Sequence, residues 1–357
     1  MKNKTFELNP LLDLAFLKKK TINCNCDDMD YNSPIIFQSE IDNIFYLIYT
    51  NDKNNSILSY DIDNNNQMWE IKNIDKIKNI IYYFDEINKR DLIIIISSNS
   101  LIIWNVINLD MLLDIKKIYQ NTYLNSACIL NYNNNNYIFT IDETGENYSA
   151  KSTLIKVFDF NGKKINEIKM SSIIPNNSYS QKYFIETYYD IKLSKCFIIL
   201  SQKYSLISYD YNIGKLLHEY NKYSFNKDLL QIIIFDNKKD KKTELIVTDK
   251  KQILIWNFHT GKLLKSIGII GEIQNIILWN GNYFFATFEC CEIKLLEKKN
   301  GLFCKILKCG EDSIITGTKM IHSKYGECLI SLSFDDNDIQ KMNIKIWKNR
   351  KNIKYQK

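Results

Sequence analysis

Histidine, the usual residue for proton transfer, occurs at three positions that are not paired in the sequence, His218, His259 and His322. General acid–base catalysis needs a titratable side chain held within hydrogen-bond reach of the reacting group. The chain contains no G-x-S-x-G, H-E-x-x-H, G-x-x-x-x-G-K-[ST] or G-x-G-x-x-G sequence. Those spacings mark nucleophiles, zinc sites and phosphate loops. We therefore predict a protein that is not an enzyme, with no catalytic residue and no cofactor.

One stretch, "DIDNNNQMWEI" from Asp61, begins like a calcium loop because acidic and amide side chains alternate in it. Such a loop needs glycine at its sixth place and a bidentate glutamate at its twelfth. Asn66 and Lys72 hold those places. The cysteine groups "CNC" (24–26) and "CC" (290–291) lack the spacing and the histidine partners of a zinc site. The sequence thus predicts a hairpin turn after Asp61 and no metal site.

The chain is mildly basic, with 47 Lys and Arg against 41 Asp and Glu and a formal net charge of +6. Arg90 and Arg350 are its only arginines, so arginine clusters that grip carboxylate, phosphate or guanine are not expected. Lysine runs do occur in "NKKDKKT" (237–243) and in the tail "KNRKNIKYQK" (348–357). These runs keep nucleic-acid binding open as an alternative function.

The first twenty residues have no apolar core followed by small residues, which argues against a secretory signal. No apolar run approaches the length of a membrane span. The nine cysteines are an odd number, and several fall in predicted strands, which is typical of reduced core residues. We expect an intracellular protein in the cytoplasm, with the nucleus as the alternative location.

The stretch "QILIWNFHTGKLLKSIGI" (252–269) reads as a β-hairpin, with two apolar runs around a turn that holds Gly261. Related stretches recur along the chain, each with an aromatic or leucine anchor near the end of its first run. The anchors are Tyr60, Trp104, Phe158, Tyr209, Trp256, Leu296 and Trp347. Their spacing averages about 48 residues, which is typical of repeated four-stranded β units with variable loops.

Two further apolar runs lie between successive hairpins, as at 77–85 and 91–98 in the second unit. These short runs are rich in Ile, Tyr, Phe and Val and end at Asn, Asp, Lys or Gly, which are strand and turn signals. A polar residue follows every anchor. We predict an all-β chain with an N-terminal segment (1–32), seven repeat units (33–349) and a short basic tail (350–357).

The hairpins "LIIWNV", "LIKVFDF", "LISYDY" and "QILIWNFHTGK" resemble the WD40 repeat family, in which this strand ends in Trp-Asp. The resemblance implies a seven-bladed β-propeller of four-stranded antiparallel blades. The family's Gly-His pair is missing, so packing of inward β-branched and aromatic residues is expected to carry more of the stability.

A propeller must protect the strand edges of its first and last blades. The last unit offers three strands before the tail. We predict that the N-terminal segment supplies the missing outer strand from within residues 5–20 and so closes the ring. The alternative is that "NIKYQK" (352–357) supplies it.

Loops that join the fourth strand of one blade to the first strand of the next share one face of a propeller, and three of them carry aromatic residues. These are Tyr123, Tyr179, Tyr223 and Phe225. Aromatic side chains in such loops are suited to protein binding. We predict a non-catalytic scaffold or subunit of a larger assembly, with protein partners and no small-molecule substrate. "DYNIGKLLHEY" (210–220) also resembles quinone-cofactor propellers, which leaves an enzyme as a further alternative.

Overall fold

A computed structural model describes most of the chain in sixteen segments. They are residues 14–23, 34–51, 55–64, 66–75, 77–97, 100–116, 127–144, 152–170, 185–201, 206–220, 231–238, 240–288, 292–308, 313–323, 326–335 and 338–349. Every regular element in these segments is a β-strand. The strands form seven antiparallel sheets of four strands each.

Six of the sheets are blades formed by four consecutive strands. Blade 1 contains β2 (Ile35–Gln38), β3 (Phe45–Asn51), β4 (Ser56–Asp61) and β5 (Asn66–Ile71). Blade 2 contains β6 (Ile77–Asp85), β7 (Arg90–Ser97), β8 (Ser100–Asn105) and β9 (Met111–Lys116). Blade 3 contains β10 (Ala127–Tyr132), β11 (Asn135–Thr144), β12 (Ser152–Asp159) and β13 (Lys164–Met170).

The same order continues in the second half of the chain. Blade 4 contains β14 (Ile185–Asp190), β15 (Lys195–Ser201), β16 (Leu206–Asp210) and β17 (Lys215–Glu219). Blade 5 contains β18 (Gln231–Asn237), β19 (Lys242–Thr248), β20 (Gln252–Asn257) and β21 (Leu263–Gly268). Blade 6 contains β22 (Ile273–Trp279), β23 (Tyr283–Phe288), β24 (Glu292–Glu297) and β25 (Phe303–Lys308).

The last sheet is a composite of both ends of the described chain. Its strands are β26 (Ser313–Ser323), β27 (Gly326–Asp335), β28 (Asp338–Asn349) and β1 (Leu14–Asn23), in the order β1-β28-β27-β26. The prediction of seven blades is therefore corrected: the chain forms six complete blades of consecutive strands, and its seventh repeat unit contributes only three strands of a shared sheet. The fourth strand of that sheet is β1, from the other end of the described chain.

The predicted closing role of the N-terminal strand also needs correction. β1 overlaps the predicted segment 5–20 only from Leu14 onward, extends to Asn23, and pairs with β28 at the outer edge of the composite sheet. The composite sheet meets its neighbours through its innermost strand, β26, which lies against β2 of blade 1 and β22 of blade 6. Side chains of β27 and β28, including Ile330 and Ile346, complete the junction with blade 1. Apolar packing by side chains of β27 and β28 against blade 1 therefore joins the two ends of the ring.

A separate hydrophobic cluster fills each space between neighbouring sheets. Ile48 of blade 1 packs with Ile93 of blade 2, for example, and Phe285 of blade 6 packs with Leu329 of the composite sheet. The remaining spaces are filled in the same way, one cluster for each pair of neighbours. Because burial of apolar surface is the main stabilising term in folding, these clusters hold the sheets in a ring in the order of the chain.

The anchor residues of the sequence repeat occupy one equivalent position in all six blades. In each blade the register of the third and fourth strands shifts at a β-bulge directly before the anchor, as between Ser59 and Tyr60 and between Ile255 and Trp256. The other four blades show the same shift at their anchors. The predicted four-stranded antiparallel unit is thus confirmed.

The polar residue after the anchor caps the turn between the third and fourth strands. Oδ1 of Asp61 accepts hydrogen bonds from the backbone N–H groups of Asp63 (2.7 Å) and Asn64 (3.2 Å). Asn105, Asp159, Asp210 and Asn257 cap their turns in the same manner. Side-chain oxygens of Asp and Asn satisfy turn N–H groups at this spacing, which explains the polar residue in the sequence repeat.

Candidate interaction surface

The four aromatic residues predicted to bind a partner, Tyr123, Tyr179, Tyr223 and Phe225, lie outside the described residues. The strands on either side show that each of their segments joins the fourth strand of one blade to the first strand of the next. Their role in binding stays a prediction. The described residues show a different surface in more detail.

Because the strands of each blade are antiparallel, the turn between its first and second strands and the turn between its third and fourth strands lie on the same face of the ring. We call this the turn face. The inner turn joins the first and second strands and lies nearer the central axis, and the outer turn joins the third and fourth strands. The connections between blades lie on the other face, which we call the loop face. Most inner and outer turns fall within the described residues.

Buried carboxylates tie neighbouring blades together beneath the turn face. Asp91 of blade 2 accepts hydrogen bonds from Ser39 Oγ of blade 1 (2.7 Å) and from Tyr82 OH (2.8 Å). Burial and the nearby Asp91 carboxylate raise the pKa of the Tyr82 hydroxyl, so it remains a donor. A buried charge is tolerated when hydrogen bonds replace the water that it loses. This contact fixes the inner turn of blade 1 against blade 2.

A second carboxylate joins blades 2 and 3. Burial opposes ionisation of Asp85, but hydrogen bonds from Asn88, Arg90 and Asn136 outweigh that effect and lower the pKa of its carboxyl. Arg90 Nη2 lies 2.9 Å from Asp85 Oδ2, and Asn136 Nδ2 of blade 3 donates to Asp85 Oδ1 at 3.0 Å. Tyr83 OH donates to Asn136 Oδ1 at 2.6 Å. The sole described arginine is therefore used in a structural ion pair.

Several polar contacts join blades 4 and 5. His259 Nε2 lies 3.0 Å from Asp190 Oδ2, and Tyr188 OH donates to Asp236 Oδ1 at 2.9 Å. The backbone carbonyl of His259 lies 2.7 Å from Nε2 of His218. Both of these histidines pack between blades, while the side chain of His322 lies outside the described residues. This use of histidine is structural, because Nε2 of each ring meets a group of the neighbouring blade.

Blade 4 carries a cluster of exposed apolar side chains on the turn face. Ile191 is 81% exposed and Leu193 53% exposed in the inner turn, and Ile213 is 56% exposed in the outer turn. The two turns are held side by side, because the backbone N–H of Cys196 donates to Asn212 Oδ1 at 2.8 Å. Neighbouring apolar groups left in water on a folded surface are typical of an interaction site. We call these three residues the blade 4 patch.

The sequence contains a signal for the blade 4 patch, although the predicted binding residues lie elsewhere in the chain. Turn positions are usually held by Gly, Asn, Asp or Ser, yet "DIKLSK" (190–195) and "DYNIGK" (210–215) place isoleucine or leucine in the turn. Only the fold shows that these side chains point away from the apolar space between blades. The aromatic residues in the sequence favour the long loops of the loop face instead.

Exposed charges divide the turn face into two parts. In blades 1 and 2 the exposed charged residues of the described turns are four carboxylates and one lysine: Glu40, Asp42, Glu86 and Asp110, with Lys89. In blades 4 and 5, at the turns and the strand ends beside them, they are six lysines and two carboxylates: Lys192, Lys215, Lys238, Lys241, Lys242 and Lys262, with Asp236 and Asp240. The charge that is spread along the sequence is thus segregated in space.

The first strand of blade 4 carries a carboxyl group with altered acidity. Burial raises the pKa of Glu186 to about 7, although a hydrogen bond from the Thr187 backbone acts in the opposite direction. The nearby thiol of Cys128 is buried, and its pKa is raised by burial and by Glu186. Among the described residues, no group of three or more His, Cys, Asp and Glu side chains is arranged to hold a metal ion. The altered acidity of Glu186 is therefore not part of a described metal site.

These features define a β-propeller, and comparison with known proteins supports this class. No family model and no curated protein sequence matches the chain. The membership of its repeats in the WD40 family accordingly stays a prediction. More than a thousand solved chains share the fold, so the fold by itself does not select a function.

Two of these structures illustrate the similarity. A crystal structure of BBS1N in complex with ARL6DN matches over 94% of this chain and 96% of that one, with 9% identity and a TM-score of 0.64. A crystal structure of Chaetomium thermophilum Raptor matches over 92% of this chain but only 28% of that one, with 12% identity and a TM-score of 0.60. At such low identity the similarity shows a shared fold. The part of the chain that the structure describes contains no helix able to cross a membrane.

Proposed function

We propose that this protein is a non-catalytic, intracellular interaction propeller that holds protein partners within a larger assembly, and that its turn face is the binding surface. The observation that carries this proposal is the blade 4 patch. Ile191, Leu193 and Ile213 expose apolar surface together, and the turns that hold them are rigid. In this mechanism the ring presents fixed turns to a partner, and no reaction takes place.

The rigidity of the blade 4 patch comes from hydrogen bonds within its turns. Asp190 Oδ1 accepts from the backbone N–H groups of Lys192 (2.8 Å) and Leu193 (3.1 Å). Asp210 Oδ1 accepts from Ile213 N–H at 3.2 Å, and Asp210 Oδ2 accepts from Lys195 Nζ at 2.9 Å. A preformed surface loses little conformational entropy on binding. Most of the free energy gained by burying these apolar side chains can therefore appear as binding affinity.

The similar structures are consistent with this role, since one of them is itself a complex, of BBS1N with ARL6DN. An alternative is nucleic-acid binding through the exposed lysines of blades 4 and 5. It has less support, because the carboxylates of blades 1 and 2 share the same face and would repel phosphate.

The test is affinity purification of the tagged full-length protein from its own cells, first at moderate and then at high salt. We expect the wild-type chain to retain a stoichiometric protein partner at high salt, because apolar contacts are not screened. The variant Ile191→Ser/Ile213→Ser should lose that partner. A matched control is Ile270→Ser, which removes an isoleucine that is 95% exposed in a connection on the loop face.

Equal recovery of the partner by the patch variant and by the control would show that the turn face is not the binding surface. Recovery of the tagged chain without any other protein and without an untagged copy of itself would argue against an assembly subunit. Circular dichroism and thermal unfolding should show that both variants fold like the wild type, because the substituted side chains are exposed.

A further inference from the structure

The two charged parts of the turn face lie almost opposite each other on the ring. Seven sheets follow one another in chain order, so blades 1 and 2 are separated from blades 4 and 5 by blade 3 on one side and by blade 6 and the composite sheet on the other. Exposed apolar side chains accompany both parts: Ile41, Ile87 and Leu109 on the acidic part, and the blade 4 patch on the basic part. One face therefore carries two surfaces of opposite charge and similar apolar character.

We propose that the turn face binds the turn face of a second copy of this chain, which makes a two-fold symmetric dimer. The inference rests on the proposed function, since it names the partner of the same surface. A two-fold axis lying in the face and passing through blade 3 places blade 1 over blade 5 and blade 2 over blade 4 of the other copy. Each contact then occurs twice, as in any isologous interface.

This axis brings matching inner turns together, because it preserves the distance of each turn from the centre. The inner turn of blade 2, with Glu86 and the 49% exposed Ile87, faces the inner turn of blade 4, with Ile191, Lys192 and Leu193. Each partner in this pair supplies at least one exposed apolar side chain, and the blade 2 turn carries the exposed Lys89 as well as Glu86. The opposite charges of Glu86 and Lys192 favour this register.

The remaining turns also agree with the same axis. The outer turn of blade 2, with Leu109 and Asp110, faces Ile213 and Lys215 at the outer turn of blade 4. The inner turn of blade 1 carries Glu40 and Asp42, and it faces Lys238 and Lys241 in blade 5, where Asp240 is also exposed. Opposite charge thus recurs at three turn pairs, because this axis places the acidic part of one copy over the basic part of the other.

Blade 3 lies on the two-fold axis and faces blade 3 of the second copy. Its turns present Asn133, Asn134 and Asn161, with Lys163 as their charged residue. Asparagine side chains both donate and accept hydrogen bonds, so two copies can pair across the axis. The axis therefore passes through a part of the face where self-contact brings mainly uncharged groups together.

The experiment is sedimentation velocity of the full chain over a wide range of concentrations, at low salt and at ~0.15 M salt. We expect a concentration-dependent dimer that weakens as salt increases. Variant A, Lys192→Glu/Lys215→Glu, makes both sides of the contact between blade 2 and blade 4 acidic. Variant B, Glu86→Lys/Asp110→Lys, makes both sides of the same contact basic. Each should raise the dissociation constant by about tenfold or more, because each altered contact occurs twice.

The two variants provide a direct test of the register. In a mixture, the acidic blade 4 of variant A meets the basic blade 2 of variant B, and the acidic blade 2 of A meets the basic blade 4 of B. The equimolar mixture should therefore form a heterodimer that neither variant forms with itself. A matched control, Lys169→Glu/Lys308→Glu, reverses two exposed lysines near the ends of outer strands on the loop-face side and should dimerise like the wild type.

A wild-type chain that stays monomeric at every concentration and salt would overturn the dimer. So would a dimer that variants A and B leave unchanged, or a mixture that fails to associate. None of these results alters the proposed function if partner recovery still depends on Ile191 and Ile213. A partner other than this chain, lost in variant A but not in the control, would assign the basic part to a different acidic protein and also overturn self-association.

Discussion

His259 in the outer turn of blade 5 lies with Nε2 3.0 Å from Oδ2 of Asp190, which ends the first strand of blade 4. The same carboxylate caps the inner turn that carries Ile191 and Leu193. The residue that joins two blades therefore also shapes the exposed patch. A change at this contact is expected to affect stability and the binding surface together.

The first prediction concerns this contact. Asp190→Ala should lower the free energy of unfolding by about 2–3 kcal/mol, because it removes two turn caps and the partner of His259. His259→Ala should cost about 1 kcal/mol, since its side chain is one third exposed. Urea unfolding of both variants and of the double variant gives the coupling between them. Strictly additive effects would show that the two side chains do not interact.

The second prediction concerns Gly261 in the turn beside His218. Its φ is +63°, and a Cβ there would lie 2.9 Å from His218 Nδ1. Gly214 has a similar φ of +72°, but its nearest neighbour would be at 3.7 Å. Both Gly→Ala changes should cost about 1 kcal/mol through backbone strain, and Gly261→Ala should cost about 1 kcal/mol more through the clash. Equal shifts in thermal unfolding would show that His218 moves away freely.

The third prediction concerns the pH dependence set by Glu186. Its folded pKa, about 7, lies above the ordinary glutamate value of 4.5, so folding favours the protonated form. Stability from this group is complete below the unfolded pKa and is lost as pH rises through about 7. Glu186→Gln should therefore stabilise the protein by about 2 kcal/mol at pH 8 relative to the wild type, with a smaller difference at pH 5. A difference independent of pH would show that Glu186 is not protonated in the folded state.

The fourth prediction concerns Asp85, whose folded pKa is lowered. Stability from this carboxylate is present above the unfolded pKa and is lost as pH falls through the folded pKa. Asp85→Asn should therefore be destabilising at pH 7, and the difference from the wild type should shrink in acid. Arg90→Gln should cost about 2 kcal/mol at pH 7, because it leaves a buried carboxylate with fewer donors. Unfolding measured from pH 7 to pH 3 separates the two effects.

The match between sequence and structure is closest where the interactions are local. The bulge before Trp256 and the cap made by Asn257 involve residues a few positions apart, so their signals recur in each repeat. The patch at Ile191 and Ile213 depends on two turns that meet only when blade 4 has folded. Isoleucine is unusual in a turn, but the sequence does not show that these two turns meet, and it predicts an aromatic surface on the other face instead.

The sequence by itself determined the repeated four-stranded unit, its anchors and its capped turns, because periodic burial and turn chemistry act over short distances along the chain. The tertiary structure decided that the last unit shares its sheet with β1, and that apolar packing of β27 and β28 against blade 1 joins the ends of the ring. It also decided that carboxylates and lysines distant in sequence divide one face between them. These features depend on which blades are neighbours around the ring, and that order exists only when all the sheets have packed together.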